Sequence, residues 1–157
     1  MKNYINILII SILFLGGKAY CASDGFDKVK CGADIPKALI GQFMPDERVV
    51  VLERKHKNLG LKDLGADIIS ENLNTIYWMI CGKRFVVLDD GGFVRDVMQL
   101  SSIADDASEY TGKCTSNNKE LPEIVFAILE NKTVKSAWEI NRKKGFVKLP
   151  TNGLQCQ

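Results

Sequence analysis

His56 is the single histidine of the 157-residue chain, and it stands in a basic run, Arg54-Lys55-His56-Lys57. Imidazole is the ordinary side chain that exchanges protons near neutral pH, so a conventional acid–base centre here has to be built on this residue. Asp63 and Asp67 follow in the sequence. Either carboxylate could orient the ring, the arrangement in which a small hydrolase draws a proton from a nucleophile or a water. The nucleophile is the missing part, because no serine or cysteine stands in a G-x-S-x-G turn. The plainer reading of residues 54–57 is a solvated basic turn, and it leads.

Asp89-Asp90-Gly91-Gly92 offers two adjacent carboxylates to a hard cation. Calcium loops space their ligands at alternating positions and close with a distal glutamate, which this run lacks. A hairpin turn that needs glycine for positive φ accounts for it better. Asp105-Asp106 reads as a solvated loop face, and Arg142-Lys143-Lys144 as a basic turn. Asn131-Lys132-Thr133 fits the N-glycosylation acceptor pattern, a weak three-residue match that marks a surface turn. No cofactor motif and no metal motif emerges.

The cysteines are at 21, 31, 81, 114 and 156. None of the pairs has the close spacing of a zinc knuckle, and a lone histidine cannot complete one. The chain begins with Lys2 and an apolar stretch over residues 7–15, ending in small residues. That stretch is shorter than the roughly 20 residues a membrane-spanning helix needs, so it reads as a cleavable export signal over residues 1–22. Cuts after Ala19, Cys21 and Ala22 all remain open, and only the first retains Cys21. Export to an oxidising space turns the remaining cysteines into a disulfide framework of Cys31, Cys81, Cys114 and Cys156. Four cysteines allow three pairings. Sequential pairing, Cys31 with Cys81 and Cys114 with Cys156, is favoured because it closes each half of the chain on itself.

Lys2 and Lys18 are two of the 21 basic residues, so the 19 left after the export segment balance 19 acidic ones. A neutral domain has no electrostatic footprint for nucleic acid or an anionic bilayer. Residues 23–157 are long enough, and apolar enough, for one domain that buries its own core.

The elements that must position these residues can be read from the periodicity. Asp34 caps a short helix over 34–41, with Pro36 in its first turn and Gly41 as its stop. The β-branched run in 48–53 predicts a strand, and 59–65 a loop with one helical turn that 67–73 extends. Residues 75–81, 85–88 and 93–98 predict an antiparallel meander. Residues 101–118 read as a long polar connection, tied down at Cys114. Strands follow at 124–129, at 134–140 with Val134, Trp138 and Ile140 on one face, and at 146–149. The fold class expected is α+β: a single domain dominated by an antiparallel sheet of about six or seven strands, with one or two short helices, stapled by disulfides.

In overall style the chain resembles small exported bacterial proteins that bind or inhibit other molecules. The functional expectation is a secreted or periplasmic, non-enzymatic binding module whose partner is an extracytoplasmic protein or envelope component. The alternative is a small extracytoplasmic hydrolase using His56. Neither reading calls for a nucleic acid or for stable membrane insertion once the signal is removed.

Overall fold

Hairpins build the centre of the chain. In the computed structural model, which describes residues 24–44, 47–100 and 107–156, strands β1 (Lys62–Ser70), β2 (Leu73–Ile80), β3 (Lys83–Asp90) and β4 (Phe93–Leu100) form an antiparallel sheet in sequence order. The β3–β4 turn has φ of 63° at Gly91 and 87° at Gly92. That geometry follows the right-handed twist of the flanking strands, and glycine adopts it without a Cβ clash.

The remaining strands are β5 (Ala107–Gly112), β6 (Cys114–Ser116), β7 (Lys119–Glu120), β8 (Val125–Glu130), β9 (Thr133–Asn141), β10 (Gly145–Leu149) and β11 (Leu154–Cys156). They make a second four-stranded sheet in the order β10-β9-β8-β5 and a small third one, β11-β6-β7.

The sheets stack in layers, which explains why the central runs are apolar on both faces. Leu73, Tyr77, Val86 and Leu88 meet Phe126 and Ile140 of the second sheet. On the other face of the first sheet, Trp78, Ile80, Phe85 and Val87 are covered by Phe26, Leu39, Leu52 and Leu59 from the N-terminal segment. Val125, Ala127 and Ala137 turn away from the first sheet and pack with Leu154, Cys114 and Cys156. A strand buried on both sides has no polar face, so it shows no alternation. Each fully buried Val, Leu or Phe stabilises the fold by about 1.5–3 kcal/mol relative to exposure.

The two four-stranded sheets are also stitched at one edge. Asp96 on β4 accepts the Phe146 N–H of β10 at 2.8 Å through Oδ2. The neighbouring Gly145 has φ of 78°, and a Cβ there would collide with the same carboxylate.

Two disulfides are present, Cys31–Cys81 and Cys114–Cys156, with Cα separations of 5.5 and 4.4 Å. They are the sequential pairs. The first ties the N-terminal segment to the β2–β3 turn, and the second ties β11 to β6, directly opposite it in the ladder.

Two short helices occur. In α1 (Ile35–Leu39), Asp34 accepts the Lys37 N–H at 3.1 Å and Pro36 lies in the first turn, as the sequence predicts. The second, α2 (Val49–Lys55), replaces the strand expected at 48–53. Its buried positions are Leu52 and then His56 and Leu59, a helical spacing of four and three that outweighs the β-branched run. The loop and helical turn expected over 59–65 are not found there: a 3-10 turn lies earlier, at Lys57–Leu59, and the chain enters β1 at Lys62. As an edge strand, β1 buries little apolar surface, and register shifts at Asp63/Gly65 and Ile68/Ser70 blur its period.

The β structure is larger than expected, with eleven strands in three sheets among the described residues. Part of the connection predicted at 101–118 is strand, β5 and β6, while the export signal, Cys21 and Asp105-Asp106 lie outside the described residues. Val134 does not share a face with Trp138 and Ile140. A register shift opposite Ile128/Leu129 inserts one residue into β9, sending Val134 to the third-sheet side and Trp138 and Ile140 to the central core. No helix among the described residues is long and apolar enough to cross a membrane.

Candidate functional site

His56 follows the last residue of α2, where the Leu52 carbonyl accepts its N–H at 2.9 Å. This turns the ring inward against Phe26, with centroids 5.4 Å apart, and leaves the residue only 5 % exposed. Asp24 comes from the opposite direction. Its Oδ1 accepts the Phe26 N–H at 2.9 Å, capping a 3-10 turn over Gly25–Lys28, while Oδ2 lies 2.6 Å from His56 Nε2 and 3.1 Å from Lys55 Nζ. Burial alone would push the Asp24 carboxyl up. The bonds from His56, the Phe26 N–H and Lys55 outweigh it and hold the group below its ordinary value.

The partner of His56 is therefore Asp24, a residue the sequence did not single out. Asp63 and Asp67, the expected orienting acids, bond elsewhere. Asp63 accepts the Gly65 N–H at 3.2 Å while its own N–H donates to Glu53, and Asp67 accepts from Tyr77. Asp24, Asp27 and His56 offer ligand atoms all within 4.8 Å of one another, the kind of cluster that could hold a metal ion. The Lys55 ammonium, 3.1 Å from Asp24 and 3.6 Å from Asp27, already places a cation among these carboxylates.

A second cluster lies where β1 and β2 meet β5. Tyr77 is central and 7 % exposed. Its hydroxyl donates to Asp67 Oδ2 at 2.6 Å, pairs with Thr111 Oγ1 at 2.9 Å, and accepts from Thr75 Oγ1 at 3.5 Å. Burial and the adjoining Asp67 carboxylate raise the phenol to about 12, although the Thr111 and Thr75 contacts lower it in part. Tyr77 therefore acts as a fixed hydrogen-bonding group throughout the physiological range.

Register explains the geometry. Gly65, not a bulky residue, is the ladder partner of Tyr77, while Asp67 pairs with Thr75 and so reaches Tyr77 diagonally. The space left is a cavity of about 390 Å³ lined by Gly65, Asp67, Tyr77, Glu109 and Thr111 among others.

Glu109 of β5 completes the wall, and Arg84 of β3 lies behind it as its ion-pair partner. Arg84 Nη2 lies 2.7 Å from Glu109 Oε1, yet neither that oxygen nor Arg84 Nε has an aligned hydrogen bond, though both are shut off from solvent. The contact is an ion pair with unspent hydrogen-bonding capacity. Burial pushes the Glu109 carboxyl up, Arg84 pulls it down, and Asp67 adds a further upward push, leaving it above its ordinary value. A half-buried, mainly polar cleft with convergent hydrogen-bonding groups and a perturbed acid has the physical character of a ligand site.

Of this second set the sequence pointed only to Asp67, and in another role. Tyr77 sat inside an apolar run as one more core aromatic, and Glu109 and Thr111 lay in a stretch read as loop. The fold and its two staples define the class: a disulfide-linked, antiparallel β protein with an inter-sheet polar cleft. Comparisons with family models, curated proteins and solved structures found no match to this chain.

Proposed function

We propose that the protein is a non-catalytic binding module that acts outside the cytoplasm, and that the cleft of Asp67, Tyr77, Thr111, Glu109 and Arg84 receives its ligand. The observation that carries this reading is the unspent bonding capacity of Glu109, which lines a cavity beside the Tyr77 hydroxyl and is backed by Arg84. Buried polar atoms are normally satisfied, and a bound ligand, ion or water is what satisfies those the protein leaves over. Two carboxylates against one guanidinium favour a ligand that brings hydrogen-bond donors or a positive group. The disulfides are consistent with an oxidising compartment, where a secreted or periplasmic protein would meet an extracytoplasmic protein or envelope component.

Binding is favoured over hydrolysis by the position of His56. A base must reach the proton it removes. His56 commits Nε2 to Asp24, packs at a tilt against Phe26 and has a side chain only 6 % exposed, which suits an anchor for the N-terminal segment.

The test is affinity capture with the oxidised protein as bait against envelope and culture-medium extracts. The reading expects a ligand that wild-type bait retains and that an Asp67→Asn, Glu109→Gln bait releases. Retention by neither bait, or equally by both, would count against it.

A further inference from the structure

A second unexplained carboxylate lies on the opposite face of the first sheet. Asp89 ends the regular part of β3, where a register shift precedes the β3–β4 turn, and it is 6 % exposed. Its Oδ1 accepts the Gly92 N–H at 3.3 Å. Its Oδ2 is shut off from solvent and has no hydrogen-bond partner. Burial pushes this carboxyl up, against the pull of the Gly92 N–H and the Asn74 side chain.

The surroundings are well fixed. Gly91 N–H donates to the Asn72 carbonyl at 2.7 Å, and Met44 N–H donates to the Gly92 carbonyl at 2.7 Å, so the two neighbouring turns and the N-terminal segment border the site. A cavity of about 420 Å³ remains, lined by Asp89, Asn72, Asn74, Met44 and Ile76 together with the turn glycines. Two cations of the turn region pair with the adjoining Asp90 instead: Arg95 lies 3.1 Å and Arg142 3.8 Å from it.

The composition of the wall selects the ligand. An unpaired buried carboxylate is costly, and a positive group is what relieves it. Calcium takes six to eight oxygens and favours several carboxylates, whereas this cavity offers one acid and two neutral amides. A primary ammonium carries three donors, which suit one carboxylate and the neutral oxygen acceptors of an amide-lined cavity. Met44 and Ile76 give the rest of the wall an apolar character that a metal ion could not use. We propose that this cavity binds a primary alkylammonium ion, its nitrogen paired with Asp89 and its alkyl chain against Met44 and Ile76.

The test is a titration of the oxidised, ¹⁵N-labelled protein with n-butylammonium chloride, followed by amide chemical shifts, with methylammonium, n-butanol and calcium chloride at matched ionic strength. The proposal expects saturable shifts at Gly91, Gly92 and the Asn72 and Asn74 side chains, with weaker binding of methylammonium and no saturable shift from butanol. Asp89→Asn keeps the shape and the Gly92 bond, and its amide spectrum reports folding directly; it should weaken butylammonium binding at least tenfold. Saturation by calcium at the same amides, unsaturable shifts with butylammonium, or equal affinity in a folded Asp89→Asn protein would overturn the assignment.

Discussion

The Tyr77 hydroxyl donates to Asp67 at 2.6 Å, joining the second strand of the first sheet to its edge strand, and the same oxygen meets Thr111 of the second sheet at 2.9 Å. One phenol therefore links two sheets at the cleft. Tyr77→Phe keeps the ring packed on Phe126 and removes the hydroxyl's contacts with Asp67, Thr111 and Thr75. We expect a loss of about 1 kcal/mol in urea unfolding, the net worth of a partly buried hydrogen bond, with the fold retained by circular dichroism.

Asp24 and His56 predict an acid limb. Because the folded-state pKa of Asp24 lies below its ordinary value of 3.8, the stability it contributes is present above that value and lost as pH falls through the folded one. Asp24→Asn should flatten the fall in stability below about pH 4, measured by urea unfolding at a series of pH values. Asp24→Ala, which leaves His56 buried without its carboxylate, should cost on the order of 3 kcal/mol at neutral pH.

Asp89 has the opposite sign. A carboxyl whose folded pKa is raised adds stability at low pH that is lost as pH rises through the folded value. Asp89→Asn should therefore stabilise the protein at pH 7 relative to wild type, and the gain should shrink as the pH is lowered toward 3. A thermal-melt series across that range checks it.

Gly145 tests the seam between the two large sheets. Gly145→Ala forces a Cβ against the Asp96 carboxylate and imposes positive φ on an L-residue, so a loss of about 1–3 kcal/mol is expected. Asp96→Ala in the same background should recover part of it if the collision is the cause, a comparison that equilibrium unfolding of the single and double variants provides.

The disulfides should contribute separately. Closing loops with sequence separations of 50 and 42 residues is worth roughly 4 kcal/mol each in the chain-entropy account. Replacing either pair by serine should lower the melting temperature, and partial digestion with mass analysis should return Cys31 linked to Cys81 and Cys114 linked to Cys156.

What the sequence made legible follows from which forces act locally. Residues 75–81 and 85–88 could be read as strands because layers on both sides demand apolar residues at every position. The α1 cap was legible because Asp34 and Pro36 act within one turn. The α2 helix was not, since its signal is the spacing of Leu52, His56 and Leu59, which Val49, Val50 and Val51 obscure. Val134 was placed on the wrong face because a bulge resets the period. The polar cleft was hidden for a different reason: Asp67, Tyr77, Arg84 and Glu109 come from four strands, and only the packing of two sheets brings them together.

The central claim is that the inter-sheet cleft is where the ligand binds. The most direct measurement is the dissociation constant of the captured ligand for wild type, Asp67→Asn, Glu109→Gln and Val50→Lys, the last being an exposed α2 residue outside the cleft lining. The account predicts at least tenfold weaker binding for both cleft variants and wild-type affinity for Val50→Lys. Unchanged affinity in the cleft variants, with loss in Val50→Lys, would contradict it.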